Sequence, residues 1–554
     1  MPKPPIQTLD IVNARDVLSG KAVSVRIEGG RIAHVGAPDT LPTAPEARRI
    51  DAQGRVLAPG FCESHLHLFQ GGVTLDQLNL LEVQSEEQLA RALSAYRKGR
   101  EGEPLLGAWS ANYEVLGPGT RPDRHALDRM VPDQPFLMLA VDLHTAFANT
   151  AALRLAGLMD HVPALERAEV VIGPDGLPTG ELREDGAMQL VGRFAATGGR
   201  DGLAMAGDEP ATPPDAAARA RDMKTLRRAL DACAAQGITT AVNMDGNLYQ
   251  ADLLREMARA DALPIRVSAA LRIAPSHGPE RVAEMIAAAR SAPVGKLSFG
   301  RIKMFLDGVF DTWTAFRTDD YPGRPGFRSN PLFRREAFID ICRQADAAGL
   351  QIQTHCVGDA AVRLALDGYE AARNANGARD ARHRIEHIDM LHPDDRPRLA
   401  ALGVIASMQP VHPPGSSGLP LEPTVSIMGR ARWGDTFPWA ALAREGTTIA
   451  FGTDWPTAPL SPFNAIHAAL SRQPWAPDVP DQRLPFADVI RAYTEGGAKA
   501  LHAEADRGRI AAGMAADLVL LEGDPRKLRD SATACRAALT ICAGEIVHEA
   551  FPPS

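Results

Sequence analysis

An α/β chain built on eight strand–helix units is what the sequence predicts, and three observations carry the prediction. Eight short β-branched runs alternate with stretches rich in Ala, Leu and Arg. The polar residues suited to chemistry fall at the ends of those runs, and the two termini share a different, hairpin-like texture. Eight such units are the count of a (β/α)8 TIM-like barrel, in which chemistry sits where the strands end. The expected fold is therefore a (β/α)8 TIM-like barrel with a small β-sandwich domain made from both termini and a large insertion after barrel strand 1.

A chain of 554 residues exceeds the size at which one core stops growing, so more than one folding unit is expected. At the start, residues 22–27 alternate apolar and polar, Gly29 and Gly30 supply a turn, and 31–35 return. At the end, residues 517–521 form a strand, and 539–542, Ala543-Gly544 and 545–547 make a second hairpin. Neither end is large enough for a core of its own. Residues 1–57 and 507–554 are therefore expected to pack as one composite β-sandwich domain, with the barrel, 58–506, inserted between its halves.

The first barrel strand leads into His65, and the other seven are 238–242, 265–269, 302–305, 352–355, 383–387, 404–408 and 448–451. Residues 70–225 do not fit this count. They hold one more strand-like run, 135–141, and a Pro/Gly/Asp-rich region near 171–212 that reads as loop. They are expected to form an inserted domain over the active-site mouth, with 198–215 as a mobile lid or linker. No internal repeat is visible.

Hydrophobic residues make up 45% and charged residues 23%, an ordinary soluble composition, and a net charge of −8 leaves no electrostatic footprint for nucleic acid. No Lys/Arg block suggests a membrane surface, and no uncharged apolar stretch is long enough to span a bilayer. Residues 1–7 lack the apolar segment of a secretory signal. Six cysteines without paired spacing fit reduced thiols, so a cytoplasmic location is expected, with Cys62 and Cys356 as packing residues.

The stretch Pro59-Gly60-Phe61-Cys62-Glu63-Ser64-His65-Leu66-His67 reads as the end of a buried strand. Residues i and i+2 share a strand face, so His65 and His67 point together, the geometry of a paired nitrogen grip on a divalent metal. Lys303, His355, His387 and Asp454 each end an apolar run of their own. Singly, each has an ordinary explanation: a hydrogen-bonded core histidine, a lysine reaching water, a turn or cap aspartate. Together, at the strand ends of one barrel, they point to a metal site.

Further candidates surround that set. His144, with Asn149 following, is placed to reach a substrate carbonyl, and Glu184 and Asp307 are acids close to the motifs. Trp109, Asn112, Phe305, Trp313, Gln409, His412 and Trp455 are candidates to line a small-molecule pocket. No nucleophile motif such as G-x-S-x-G occurs, which leaves a metal as the evident source of a nucleophile.

Separated motifs extend the pattern over nearly the whole length: Pro59 to His67; Asp142-Leu143-His144 with Asn149; Pro178-Thr179-Gly180-Glu181-Leu182-Arg183-Glu184; Ile302-Lys303-Met304-Phe305-Leu306-Asp307-Gly308; His355-Cys356-Val357-Gly358-Asp359-Ala360; Arg384-Ile385-Glu386-His387; and Gly452-Thr453-Asp454-Trp455-Pro456. On these the chain resembles the amidohydrolase superfamily, in the amidohydrolase-3 branch that includes N-substituted formamide deformylase. One departure is Glu63, where that family more often carries Asp; it precedes the ligands and leaves them untouched.

The resemblance implies a bimetal centre of zinc or a similar divalent ion. His65, His67 and Asp454 would hold one ion, His355 and His387 the other, and Lys303, carboxylated by CO2, would bridge them. An unmodified Lys303 implies one ion at most, since its ammonium would repel two cations. The implied activity is hydrolysis of an amide-type C–N bond, in a formamide or N-acyl amine, by metal-activated water. Asp454 would shuttle the proton, and the second ion or His144 would stabilise the oxyanion.

A cyclic amide, lactone or carbamate hydrolase on the same metals is the alternative activity. A dihydropyrimidinase-like scaffold without turnover is the non-enzyme alternative, against which the six filled ligand positions speak. Heterocycle deamination is disfavoured because residues 356–359 lack the Glu that relatives of that type carry near the strand-five His. The expected partner is a small-molecule substrate, with a homodimer as the default assembly.

Overall fold

Strand pairing decides how this sequence is laid out. The computed structural model describes residues 8–550, except 42–43, 142–143, 166–167 and 417–418. The opening segment 1–7, and Asp142 and Leu143 of the second motif, lie outside the described residues. The chain forms two compact units, Met1–His67 with Leu230–Ser554, and Leu68–Ala229.

In the first unit, all eight expected barrel strands are present: Phe61–Leu66, Ile238–Asn243, Arg266–Ala269, Arg301–Phe305, Gln351–Cys356, Arg384–His387, Ile405–Met408 and Ile449–Phe451. All pair in parallel, as strands joined through helices must. Hydrogen bonding runs in two ladders, broken in the third strand, where Arg266–Ala269 pairs with the second strand and Leu271–Arg272 with the fourth. Leu66 also bridges Trp455, just past the eighth strand, in parallel. The arrangement is a TIM-barrel-like α/β fold.

Strands from both ends of the chain meet in one eight-stranded sheet. Its central join is antiparallel, Val56–Pro59 against Leu518–Gly523, with Leu57 opposite Leu520. Where a composite β-sandwich was expected, the two ends share one hydrogen-bonded sheet. Unjoined, Val56–Pro59 and Leu518–Gly523 would each leave an unpaired edge in a hydrophobic setting, and pairing removes both. Leu9, Ile11, Val25, Ile27, Leu518, Leu520, Leu539 and Ile541 then bury in one apolar cluster. Both hairpins turn as expected, Gly29 and Gly30 each with positive φ, which the tight two-residue turn requires.

The unit Leu68–Ala229 carries more order than its composition suggests. Six strands pair in the order Glu169–Ile172, Pro178–Arg183, Thr145–Ala148, Phe136–Ala140, Leu106–Ala111 and Leu78–Asn79. Successive residues bury on opposite faces: Leu106, Phe136 and Phe147 enter one apolar cluster, and Leu105, Leu137 and Ala146 another. The region near 171–212, read as loop, instead supplies strand Pro178–Arg183 and helices Glu184–Gly192 and Arg200–Ala206. Within the expected lid, 198–215, helix Arg200–Ala206 is bounded by Gly199 and Gly207, both left-handed, and Arg200 pairs with buried Asp222. Gly199 and Gly207 are helix ends, and Gly202 lies within the helix.

Candidate metal centre

Strand ends place the candidate ligands. His65 lies within the first strand and His67 one residue past it; Lys303 is in the fourth, His355 in the fifth, and His387 ends the sixth. Asp454 follows the eighth strand, its backbone N–H donating to the His65 carbonyl at 2.8 Å. All six side chains are buried, Lys303 completely. His387 and Asp454 sit at φ of +75° and +61°. Left-handed backbone is uncommon for residues with a side chain, and such positions concentrate at functional sites.

His65, His387 and Asp454 each offer a ligand atom, and the three atoms lie within 4.8 Å of one another. The His387 ring is 4.8 Å from that of His65 and 4.4 Å from that of His355, between centroids. His65 Nε2 is 3.3 Å, and His67 Nε2 3.1 Å, from Asp454 Oδ1. Two ligands of one tetrahedral zinc, at about 2.0–2.1 Å from it, stand about 3.4 Å apart. The donors present therefore fit a divalent ion in type and spacing.

Each of these two imidazoles has its far nitrogen directed at a buried carboxylate: His65 Nδ1 to Glu386 Oε2 at 2.8 Å, His67 Nδ1 to Asp245 Oδ1 at 3.5 Å. His355 Nε2 is 3.2 Å from the Gly308 carbonyl, which accepts only, so that nitrogen carries the proton and Nδ1 is left for a ligand. Its ring stacks on Phe305 at 4.7 Å.

Burial sets most of the electrostatics. It pushes His355 and His387 well below the usual histidine range, aided by the charge of Lys303 on the first and of its histidine neighbours on the second. Neutral imidazole is the ligand form. Burial acts the same way on His67, but Asp245 and Asp454 outweigh it and raise that ring to about 9. For Asp454, burial would raise the carboxyl, yet His65 and His67 hold it well below its usual range. Lys303 Nζ has no hydrogen-bond partner, and burial brings it down to about 8 against the pull of Glu386 and Asp454. Burial also raises the Cys62 thiol to about 11, leaving it no thiolate character.

Glu63, which precedes the ligands, bonds to the backbone beside Asp454. Its Oε1 accepts the Thr453 N–H at 2.6 Å, and burial pushes its carboxyl up to about 8. A Cβ on Gly452 would lie 2.7 Å from that same oxygen, so glycine is needed there. Asp245, Glu386 and Arg384 were not singled out from sequence. Arg384 and Glu386 were visible as an i, i+2 pair sharing one strand face in Arg-Ile-Glu-His; Asp245 had no signal beyond lying just past a strand.

The substrate-lining candidates divide. His412 stacks parallel to His387, 5.8 Å between centroids, with Nε2 3.7 Å from Asp454 Oδ2. Gln409 is 2% exposed, and neither of its amide atoms has a hydrogen-bond partner. Trp455 is buried, its carbonyl accepting the His67 N–H. Trp313 lies under the Arg324 guanidinium at 4.2 Å. Asp307, by contrast, is a loop brace: its oxygens accept the N–H groups of Phe316, Val357 and Gly358, which leaves it poorly placed to hold substrate.

Trp109, Asn112, His144 and Glu184 belong to the unit Leu68–Ala229. His144 Nδ1 pairs with Glu184 Oε2 at 2.9 Å, and Glu184 has a φ of +65°. Trp109 is buried within its strand. Asn112 is exposed and closes a local turn on the Glu114 N–H. Asn149, coupled with His144 in the sequence reading, is a helix cap instead, its amide bonded to Phe136, Ala152, Val131 and Gln134.

A TIM-barrel-like α/β fold with a buried His/His/Asp cluster at its strand ends defines a class of metal-using hydrolases. Residues 48–548 match the amidohydrolase family, and the chain belongs to that family. It is 27% identical over 515 residues to Protein LONG AFTER FAR-RED 3 of Arabidopsis thaliana, covering 90% of this chain and 84% of that one. Identity is 27% over 546 residues to the putative amidohydrolase YtcJ of Bacillus subtilis (95% and 96% covered), and 25% over 556 residues to N-substituted formamide deformylase of Arthrobacter pascens (94% of each). In structure it resembles an uncharacterized metal-dependent hydrolase from Pyrococcus horikoshii, with a TM-score of 0.72 at 23% identity, covering 94% of this chain and 98% of that one.

Proposed function

We propose that this chain is a metal-dependent hydrolase of an amide-type C–N bond in a small molecule, a formamide or N-acyl amine. The observation that carries the reading is the convergence of His65, His387 and Asp454 ligand atoms within 4.8 Å, from three different strand ends. Likeness to a formamide deformylase over 94% of both chains supports the bond type. The nitrogen and carboxylate donors suit zinc. His65, His67 and Asp454 would hold one ion, and His355 and His387 a second.

A zinc ion bound there supplies Lewis acidity and lowers the pKa of water from about 15.7 to about 7. Asp454, a carboxylate throughout the neutral range, takes the proton of the attacking water and returns it to the departing amine nitrogen. His412, 3.7 Å from Asp454 Oδ2, lies beside that path. Lys303, if carboxylated, would be a ligand common to both ions. Its neutral amine, accessible near neutral pH because of burial, would attack CO2, the N–C bond forming as a C=O π pair moves to oxygen and the N–H proton passes to water.

The test is zinc content of the purified chain together with a screen of formamides, N-acyl amino acids, carbamates and lactones. The expected result is bound zinc and turnover of formamides or N-acyl amines. The His65→Ala, His67→Ala double variant is expected to stay folded and lose both metal and turnover. Full activity in metal-free protein would refute the reading, and turnover confined to lactones or carbamates would move the substrate class.

A further inference from the structure

Arg384, Glu386 and His65 form a fully buried chain of contacts that joins two strands not paired with each other. Glu386 Oε2 lies 2.8 Å from His65 Nδ1. Arg384 grips both carboxylate oxygens, Nε to Oε1 and Nη2 to Oε2, each at 2.9 Å. The same Nη2 reaches the Ser64 carbonyl and the Ser407 hydroxyl, each at 2.7 Å. Arg384 and Glu386 are 0% exposed and His65 1%. The sixth strand, which carries the ion pair, is bonded to the fifth and seventh. Its side chains therefore cross the interior to the first strand.

Stability explains such a pair poorly. Taking two charges out of water carries a desolvation cost that their attraction need not repay, and apolar replacements of buried ion pairs are often neutral or stabilising. What the pair does achieve is orientation. A carboxylate can only accept, so Nδ1 of His65 must carry a proton, which leaves Nε2, the atom facing Asp454 at 3.3 Å, as the nitrogen free to give its lone pair to a metal. The Arg384 bond to the Ser64 carbonyl ties the carboxylate to the backbone just before His65.

We propose that Glu386, clamped by Arg384, is the positioning residue that fixes the tautomer and orientation of His65 and so presents Nε2 to the metal. The inference rests on the reading of His65 as a ligand. Loss of a carboxylate behind a metal-binding histidine lowers affinity by about 10- to 100-fold.

Zinc dissociation constants, from competition with a chromophoric chelator, are compared for wild type, Glu386→Gln and the Arg384→Met, Glu386→Gln double variant, with thermal melts of the zinc-free chains. The double variant removes both charges, which avoids stranding a buried guanidinium and keeps a folded chain to measure. Both variants are expected to bind zinc about 10- to 100-fold more weakly, the double variant with a melt near that of wild type. Selective ¹⁵N-histidine spectra of zinc-free wild type are expected to show His65 protonated at Nδ1, a result that needs no variant to fold. Affinity within about twofold of wild type in a folded variant, or His65 protonated at Nε2 with Nδ1 bare, overturns the proposal. Wild type that binds no divalent metal overturns the reading of the site itself, a failure visible before any variant is compared.

Discussion

The terminal sheet and the parallel strands of the same unit both bury apolar side chains, but charged groups are far denser among the parallel strands, the terminal sheet burying, among the described residues, only the Asp10–Arg26 pair. The terminal sheet packs Leu9, Ile11, Val25, Leu520 and Ile541 into one apolar cluster. The parallel strands bury Glu63, His65, Arg301, Lys303, Gln353, Arg384 and Glu386. Burying apolar area stabilises at about 25 cal/mol per Å², whereas burying polar groups costs free energy unless each is paired. The parallel strands carry the chemistry in addition to apolar burial and the terminal sheet does not, so substitutions should separate stability from chemistry in the terminal sheet.

The largest effect expected is on turnover. Asp454→Asn keeps shape and one acceptor oxygen but cannot take a proton. It is expected to lower kcat by about 10²- to 10⁴-fold, or about 3–5 kcal/mol of barrier. The metal-free chain should melt lower than wild type near neutral pH, because the carboxylate that His65 and His67 hold ionised has been removed. Steady-state kinetics and a thermal melt check the two effects; unchanged kcat removes Asp454 from the mechanism.

The reverse separation is expected in the terminal sheet. Leu520→Ala, at a position 1% exposed, should cost about 2–5 kcal/mol in urea unfolding and leave the zinc dissociation constant unchanged in the folded chain. A parallel fall in zinc affinity would show that the two sheets are not independent.

These regions also differed in how well the sequence disclosed them. The ligand positions were legible because each ends a short β-branched run, a local signal, and because i, i+2 spacing fixes a shared face for His65 and His67. The partners of those ligands were not: Glu386 lies 321 residues from His65, and nothing in local spacing encodes a contact across the interior. In residues 171–212 glycine and proline were read as loop, although Pro178–Arg183 is held as a strand between Thr145–Ala148 and Glu169–Ile172. Tertiary pairing overrode composition there. Asn149 carried a functional expectation because its position in a motif looked the same as its position before a helix.

Buried charge need not cost stability when every bond is satisfied, and Asp346 sharpens the comparison on that point. It is 4% exposed and accepts from Arg379 Nε at 2.6 Å and Asn376 Nδ2 at 2.9 Å, with His383 Nε2 at 3.4 Å. His383 is a neutral donor here: its Nδ1 accepts the Ile352 N–H, and burial lowers its pKa. Burial alone would raise the Asp346 carboxyl, but bonds from His383, Asn376 and Arg379 hold it well below its usual range. On acidification the unfolded chain is then protonated first, near its ordinary value of about 3.9, so stability present above that pH is lost as pH falls through the lower folded value. Asp346→Asn should be less stable than wild type near neutral pH, and the gap should close below about pH 4. A gap constant from neutral to acid pH in urea unfolding would deny the ion its role.

The smallest effect is expected on the solvent side of the terminal sheet. Glu522 and Arg536 are directly opposite across two antiparallel strands, with Arg536 Nη2 2.6 Å from Glu522 Oε2, yet their side chains are 45% and 72% exposed. An exposed pair gains little Coulomb energy in high dielectric and gives up side-chain entropy, so Arg536→Ala should change stability by only about 0–1 kcal/mol. Salt should shrink even that difference, since exposed charges are screened. Unfolding at low and high ionic strength measures it. A loss as large as that of Leu520→Ala would mean that this sheet draws its stability from its surface as well as its apolar cluster, and the division of labour between the two sheets would fail.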